Sequence, residues 1–116
     1  MEKEFVVKPE ETAKCIGSGG LDVLATPALI AYVEHVCFEE LEVDISPLET
    51  SVGVKIEMLH LKPTKVSEKV NVKTAINEKK GKKVSFSFEV FHKDILIASG
   101  YHQRVFVDKE QFLSQL

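Results

Sequence analysis

A carboxylate and an imidazole that open onto one pocket can carry out base catalysis near neutral pH, and this sequence places one of each at inward-looking positions. Glu34 lies in the stretch LATPALIAYVEHVCFEEL, Leu24 to Leu41. There Ile30, Val33, Glu34, Cys37 and Leu41 keep the i, i+3, i+4, i+7 spacing of one helix face. The carboxylate therefore belongs to an apolar stripe and not to the wet face expected from Glu39, Glu40 and Glu42. An unpaired carboxylate in such a stripe costs on the order of several kcal/mol. Function is one reason to accept that cost; the other reading is that His35 marks an exposed wedge and Glu34 points into water. His60 closes the alternating stretch TSVGVKIEMLHL on the face shared by Val52, Val54, Ile56 and Met58. Its ring is expected to point inward, either as a hydrogen-bonded core residue or as Glu34's catalytic companion in one cleft.

Thr26 is the third candidate. As a helix cap with Pro27 at the first helical position it is fully explained without chemistry. Eight residues separate it from Glu34, about 12 Å along a helix, too far for both to touch one substrate atom from a single subunit. Either a site mixes residues across a dimer interface or Thr26 acts at a distance from Glu34.

The frame that holds these residues is legible in the periodicity. A short apolar alternation, Glu4 to Lys8, reads as an edge strand, and CIGSGGLD after it as a loop. The helix is expected to run from Thr26 to about Leu41 or Val43, ended by DISP. Beyond Pro47 the period changes to two. Strands are expected at TSVGVKIEMLHL, at KVNVKTAI with Val70, Val72, Thr74 and Ile76 on one face, and at KVSFSFEVF with Val84, Phe86, Phe88 and Val90. NEKKGKK and HKD are the connecting turns, and ILIASGYHQRVFV is a last, longer strand in which Gly100 marks a bulge or a close backbone approach. KEQFLSQL reads as a closing helix. One long apolar helix followed by a meander of antiparallel strands predicts an α+β hot-dog fold, a curved sheet wrapped around the helix, with residues 1–116 as one domain. Leu29 to Phe38 leave so little polar surface that a single sheet is not enough cover, and a homodimer is expected.

Composition narrows the function classes. The chain has 116 residues, 44% hydrophobic and 28% charged, with a net charge of −3, the profile of a soluble globular domain. Arg104 is the single arginine, and the lysines gather only around Gly81, so no basic stripe exists for nucleic acid to follow. The N-terminus lacks a signal-peptide core and no apolar run is long enough to span a bilayer, which makes the cytoplasm the default expectation and a membrane role an unexpected one. Cys15 and Cys37 are isolated thiols. The four histidines show neither HxH nor HExxH spacing, and no metal site is expected.

At the residues singled out, the chain resembles the fluoroacetyl-CoA thioesterase family of hot-dog proteins. The likeness is carried by LATPALIAYVE, TSVGVKIEMLHLKPT and GYHQRVFVD, and runs from about Phe5 to Phe112. In that family a Thr at the helix start, a Glu two turns on and a His ending the next strand form the catalytic set, with a strand Gly near the thioester. The resemblance therefore implies Thr26, Glu34 and His60 as catalytic residues and Gly53 as substrate-binding. It implies hydrolysis of an acyl-CoA, with coenzyme A entering as part of the substrate and no separate cofactor. Glu34 would attack the thioester carbonyl or activate a water, His60 would handle a proton, and the Thr26 hydroxyl would stabilise developing charge. Lys62, Lys65, Lys69 and Arg104 are the cations available to the CoA phosphates, Arg104 being taken as substrate-binding. The alternative is a non-catalytic acyl-CoA binding module. One departure stands out: where the fluoroacetyl-CoA enzymes carry bulky aromatic residues as a lid before the helix, this chain has GSGGLDVL.

Overall fold

The computed structural model describes residues 1–116. Its elements in chain order are β1 (Glu2–Val6), a 3₁₀ turn (Pro9–Glu11), α1 (Ala13–Ile16), α2 (Thr26–Glu42), β2 (Glu49–His60), β3 (Lys69–Lys80), β4 (Lys83–His92), β5 (Ile95–Asp108) and α3 (Lys109–Ser114). The strands form one antiparallel sheet in the order β1-β3-β4-β5-β2. That sheet curls around α2, the hot-dog arrangement.

Alternation built the core. Val84, Phe86, Phe88 and Val90 of β4 are all buried, as are Val70, Val72 and Thr74 of β3, and they meet Leu29, Val33, Val36 and Cys37 of α2. Burial pushes the Cys37 thiol up to about 12, against the lowering charge of Arg104, so this sulfur stays a protonated core atom. The turn between β3 and β4 is shorter than expected, because pairing continues to Lys80↔Lys83 and leaves only Gly81 and Lys82 outside the strands. The glycine-rich stretch holds more order than a loop: α1 ends inside it, with Gly17 in the left-handed region as its cap.

Two details of β2 and β5 set the surface that faces α2. Gly100 is a close approach and not a bulge, since a Cβ there would overlap the Glu57 carbonyl oxygen. Along the β2–β5 pairing the bulge lies in β2: Gly53 pairs with Arg104 and Lys55 with Gln103, leaving Val54 as an extra residue. This corrects the expected face. Ser51 is buried and a side chain at Gly53 would point at α2, whereas Val54 is 54% exposed; only Ile56, Met58 and His60, beyond the bulge, lie on the inner side as predicted.

The helix is less wrapped than its composition suggests. Thr26, Pro27, Ala31 and His35 are exposed. The face expected to be wet is tied down: Lys3 Nζ donates to Glu39 at 2.5 Å, Thr74 Oγ1 to Glu40 at 3.0 Å and Thr50 Oγ1 to Glu42 at 3.4 Å. No helix is long and apolar enough to cross a membrane.

Candidate active site

The first turn of α2 brings one pair together. Ala25, not Thr26, is the N-cap, and it makes no side-chain cap bond; Thr26 is the first helical residue and Pro27 the second. The Thr26 hydroxyl, freed from capping, lies 2.8 Å from His60 Nδ1 at the far end of β2. His60 Nε2 is buried without any partner. Burial pushes the His60 imidazole below its ordinary value, with the Lys62 backbone pulling the other way, so the ring is held neutral. Around the pair is a cleft of about 330 Å³, rimmed by Ala13, Ser18, Leu61 and Lys62. Ser18 puts the glycine-rich stretch at the mouth of this cleft, and no aromatic ring stands there.

A second cluster forms two turns further along. The Glu34 side chain is 42% exposed and does not carry the desolvation that the apolar stripe implied. Its Oε2 sits where a Cβ on Gly53 would come within 2.6 Å. Arg104 Nη1 stands 3.6 Å from that oxygen and His102 Nε2 stands 4.0 Å from it. Arg104 is buried, donating from Nε to Ser51 Oγ at 2.8 Å and from Nη2 to the Ser51 carbonyl at 2.9 Å. Burial lowers its proton affinity, while the charge of Glu34 raises it. Arg104 was expected to bind substrate; in the structure its Nε and Nη2 are bonded to Ser51 inside the fold and its Nη1 stands beside a carboxylate.

His60 and Glu34 therefore do not share a cleft within one chain. Gly53, which Glu34 faces, and His60 are seven residues apart on β2, roughly 20 Å of strand, and α2 keeps Thr26 about 12 Å from Glu34. His102, which sequence reasoning did not single out, belongs to the Glu34 cluster. The signal was present: Ala98, Gly100, His102, Arg104 and Phe106 alternate along β5, so an inward Arg104 requires an inward His102.

The model of the family described as fluoroacetyl-CoA-specific thioesterase (FlK) matches residues 7–110. No curated protein matches the chain in sequence. Among solved structures, a mutant of the fluoroacetyl-CoA-specific thioesterase FlK in complex with fluoroacetate and CoA superposes with a TM-score of 0.93 at 23% identity, covering 99% of this chain and 94% of that one. A hot-dog-like protein from Thermanaerovibrio acidaminovorans gives 0.90 at 19% identity, over 99% and 85% of the two chains. A thioesterase superfamily member from Thermus thermophilus gives 0.89 at 22%, over 98% and 85%. At these identities the structural matches establish the fold.

Proposed function

Because this chain belongs to the fluoroacetyl-CoA-specific thioesterase family and is a thioesterase, we propose that it hydrolyses an acyl-CoA to the free acid and CoA with Glu34 as the reacting carboxylate, in a site completed by Thr26 and His60 of a second copy. The observation that carries this reading is the Glu34 carboxylate itself: half exposed, facing a glycine instead of a side chain, and backed by a buried cation. Such a group either attacks the thioester carbon, releasing CoA and leaving an anhydride for water to cleave, or takes a proton from the water that attacks. In both routes the C–S bond breaks and the CoA sulfur leaves as thiolate, which gains a proton. Neutral His60, with a free Nε2 and its Nδ1 tied to Thr26, is suited to hold the water or move that proton. Lys62 at the cleft rim is the cation we assign to a CoA phosphate.

The dimer reading rests on β2. It is the edge of the sheet, and its outer side carries exposed Val54 and Leu59. A twelve-residue edge with unpaired backbone groups invites an antiparallel partner. Two copies of β2 paired about a two-fold axis between Gly53 and His60 would set the His60 end of each strand beside the other copy's Glu34.

Complementation tests both parts together. Glu34→Gln and His60→Ala are each expected to lower kcat by a factor on the order of a hundred. Co-expressed, they should regain about a quarter of wild-type activity, since half the dimers then hold one intact site. Wild-type turnover by folded Glu34→Gln protein would sink the carboxylate assignment; two inactive variants that never complement would place the site within one chain.

A further inference from the structure

Arg104 Nη1 has two candidate acceptors and meets neither closely. It lies 3.3 Å from His102 Nε2 and 3.6 Å from Glu34 Oε2. The other two nitrogens are fixed on Ser51, so the guanidinium plane is set from one side by β2 and from the other by His102. The His102 ring is 1% exposed, stacks on Phe86 at a centroid distance of 6.2 Å, and has its Nδ1 2.7 Å from the Lys55 carbonyl oxygen. A carbonyl can only accept, so Nδ1 carries the proton and Nε2 of a neutral ring offers its lone pair to Nη1. The reverse tautomer would set an N–H against an N–H in a buried space. Lys55 is the residue just after the bulge, which makes the irregularity of β2 part of the same device.

We propose that His102 is a positioning residue: its Nε2 holds Arg104 back from Glu34, keeping the cation close while leaving the carboxylate oxygens free to react. This rests on Glu34 being the reacting group. Without that acceptor, Nη1 and the Glu34 carboxylate would close a charge-assisted hydrogen bond, which lowers the basicity and nucleophilicity the carboxylate needs to react. Burial and the Arg104 charge lower the proton affinity of His102, against the Lys55 hydrogen bond and the charge of Glu34, in keeping with a neutral ring.

Two substitutions separate this role from a merely structural one. His102→Asn keeps a donor near the Nδ1 position for the Lys55 carbonyl and loses the acceptor; His102→Gln can place an amide oxygen near the Nε2 position and loses the Lys55 bond. Positioning through Arg104 predicts a kcat at least tenfold lower for the Asn variant than for the Gln variant, with KM within about twofold of wild type for both. Equal kcat values, or the opposite order, overturn it. Should either variant fail to fold, the wild-type protein still decides: imidazole nitrogen NMR at pH 7 is expected to show His102 protonated at Nδ1 and bare at Nε2, and a proton on Nε2 overturns the proposal. Glu34→Gln measured alongside tells the two failures apart. If it is as active as wild type, the carboxylate reading has failed; if it is inactive while the two His102 variants are equal, only the positioning role has.

Discussion

The two polar clusters on α2 are built to different standards. Around Glu34 the same chain supplies Ser51 and His102 for Arg104 and the Lys55 carbonyl for His102, so each group is held by another. At the helix start, the Thr26 hydroxyl and His60 Nδ1 pair with each other, and His60 Nε2 is buried without a partner. The first cluster is preorganised by its own fold; the second still has an unsatisfied buried atom, which costs about 1–3 kcal/mol until something pairs with it. Preorganised dipoles belong where charge develops during reaction, and an unpaired nitrogen belongs where a water, a substrate or another copy arrives.

The harshest perturbation removes the scaffold that both clusters share. In Gly100→Ala the new Cβ would run into the Glu57 backbone, and backbone cannot turn aside. The expected result is a loss of more than about 3 kcal/mol or failure to accumulate as folded protein, read by circular dichroism melting. A milder change acts on the sparse cluster alone. Since Thr26 caps nothing and its hydroxyl bonds only His60, Thr26→Ala should cost no more than about 1 kcal/mol of stability while lowering kcat by roughly tenfold. If Thr26 works through His60, the double variant with His60→Ala should be no slower than His60→Ala by itself; additive losses would show two independent roles. The smallest effect concerns the mouth of the cleft. With no ring and no bulk in Gly17 to Gly20, the pocket has little with which to tell one fluorine from one hydrogen. The ratio of kcat/KM for fluoroacetyl-CoA over acetyl-CoA should stay well below about a thousand; a larger preference would show that an aromatic lid is not what selects fluorine here.

Where one interaction dominates, the sequence was transparent. Val84, Phe86, Phe88 and Val90 lie on one face because period two leaves no other choice for a strand buried on one side. Helix α2 was legible for the same reason, as was the turn at Lys93–Asp94. The misreadings fall where local rules compete. Val52 and Val54 look inward by alternation, but one extra residue in β2 resets the phase. Thr26 looks like a cap by residue preference, whereas Ala25 takes the position and Thr26 turns to His60. Arg104 was read as a substrate-binding cation; the alternation of β5 turns it inward, but its bonds to Ser51, a residue 53 positions away, leave no trace in any pattern.

Position 53 constrains how the protein can change over generations. Every single-base change in a glycine codon that introduces another amino acid adds at least a Cβ, and here that atom would lie 2.6 Å from the Glu34 carboxylate, 3.2 Å from His102 and 3.4 Å from Arg104. A replacement at this position is therefore never silent to the site: each one moves the carboxylate first, and any lineage that varies the residue must find a new place for Glu34 in the same step.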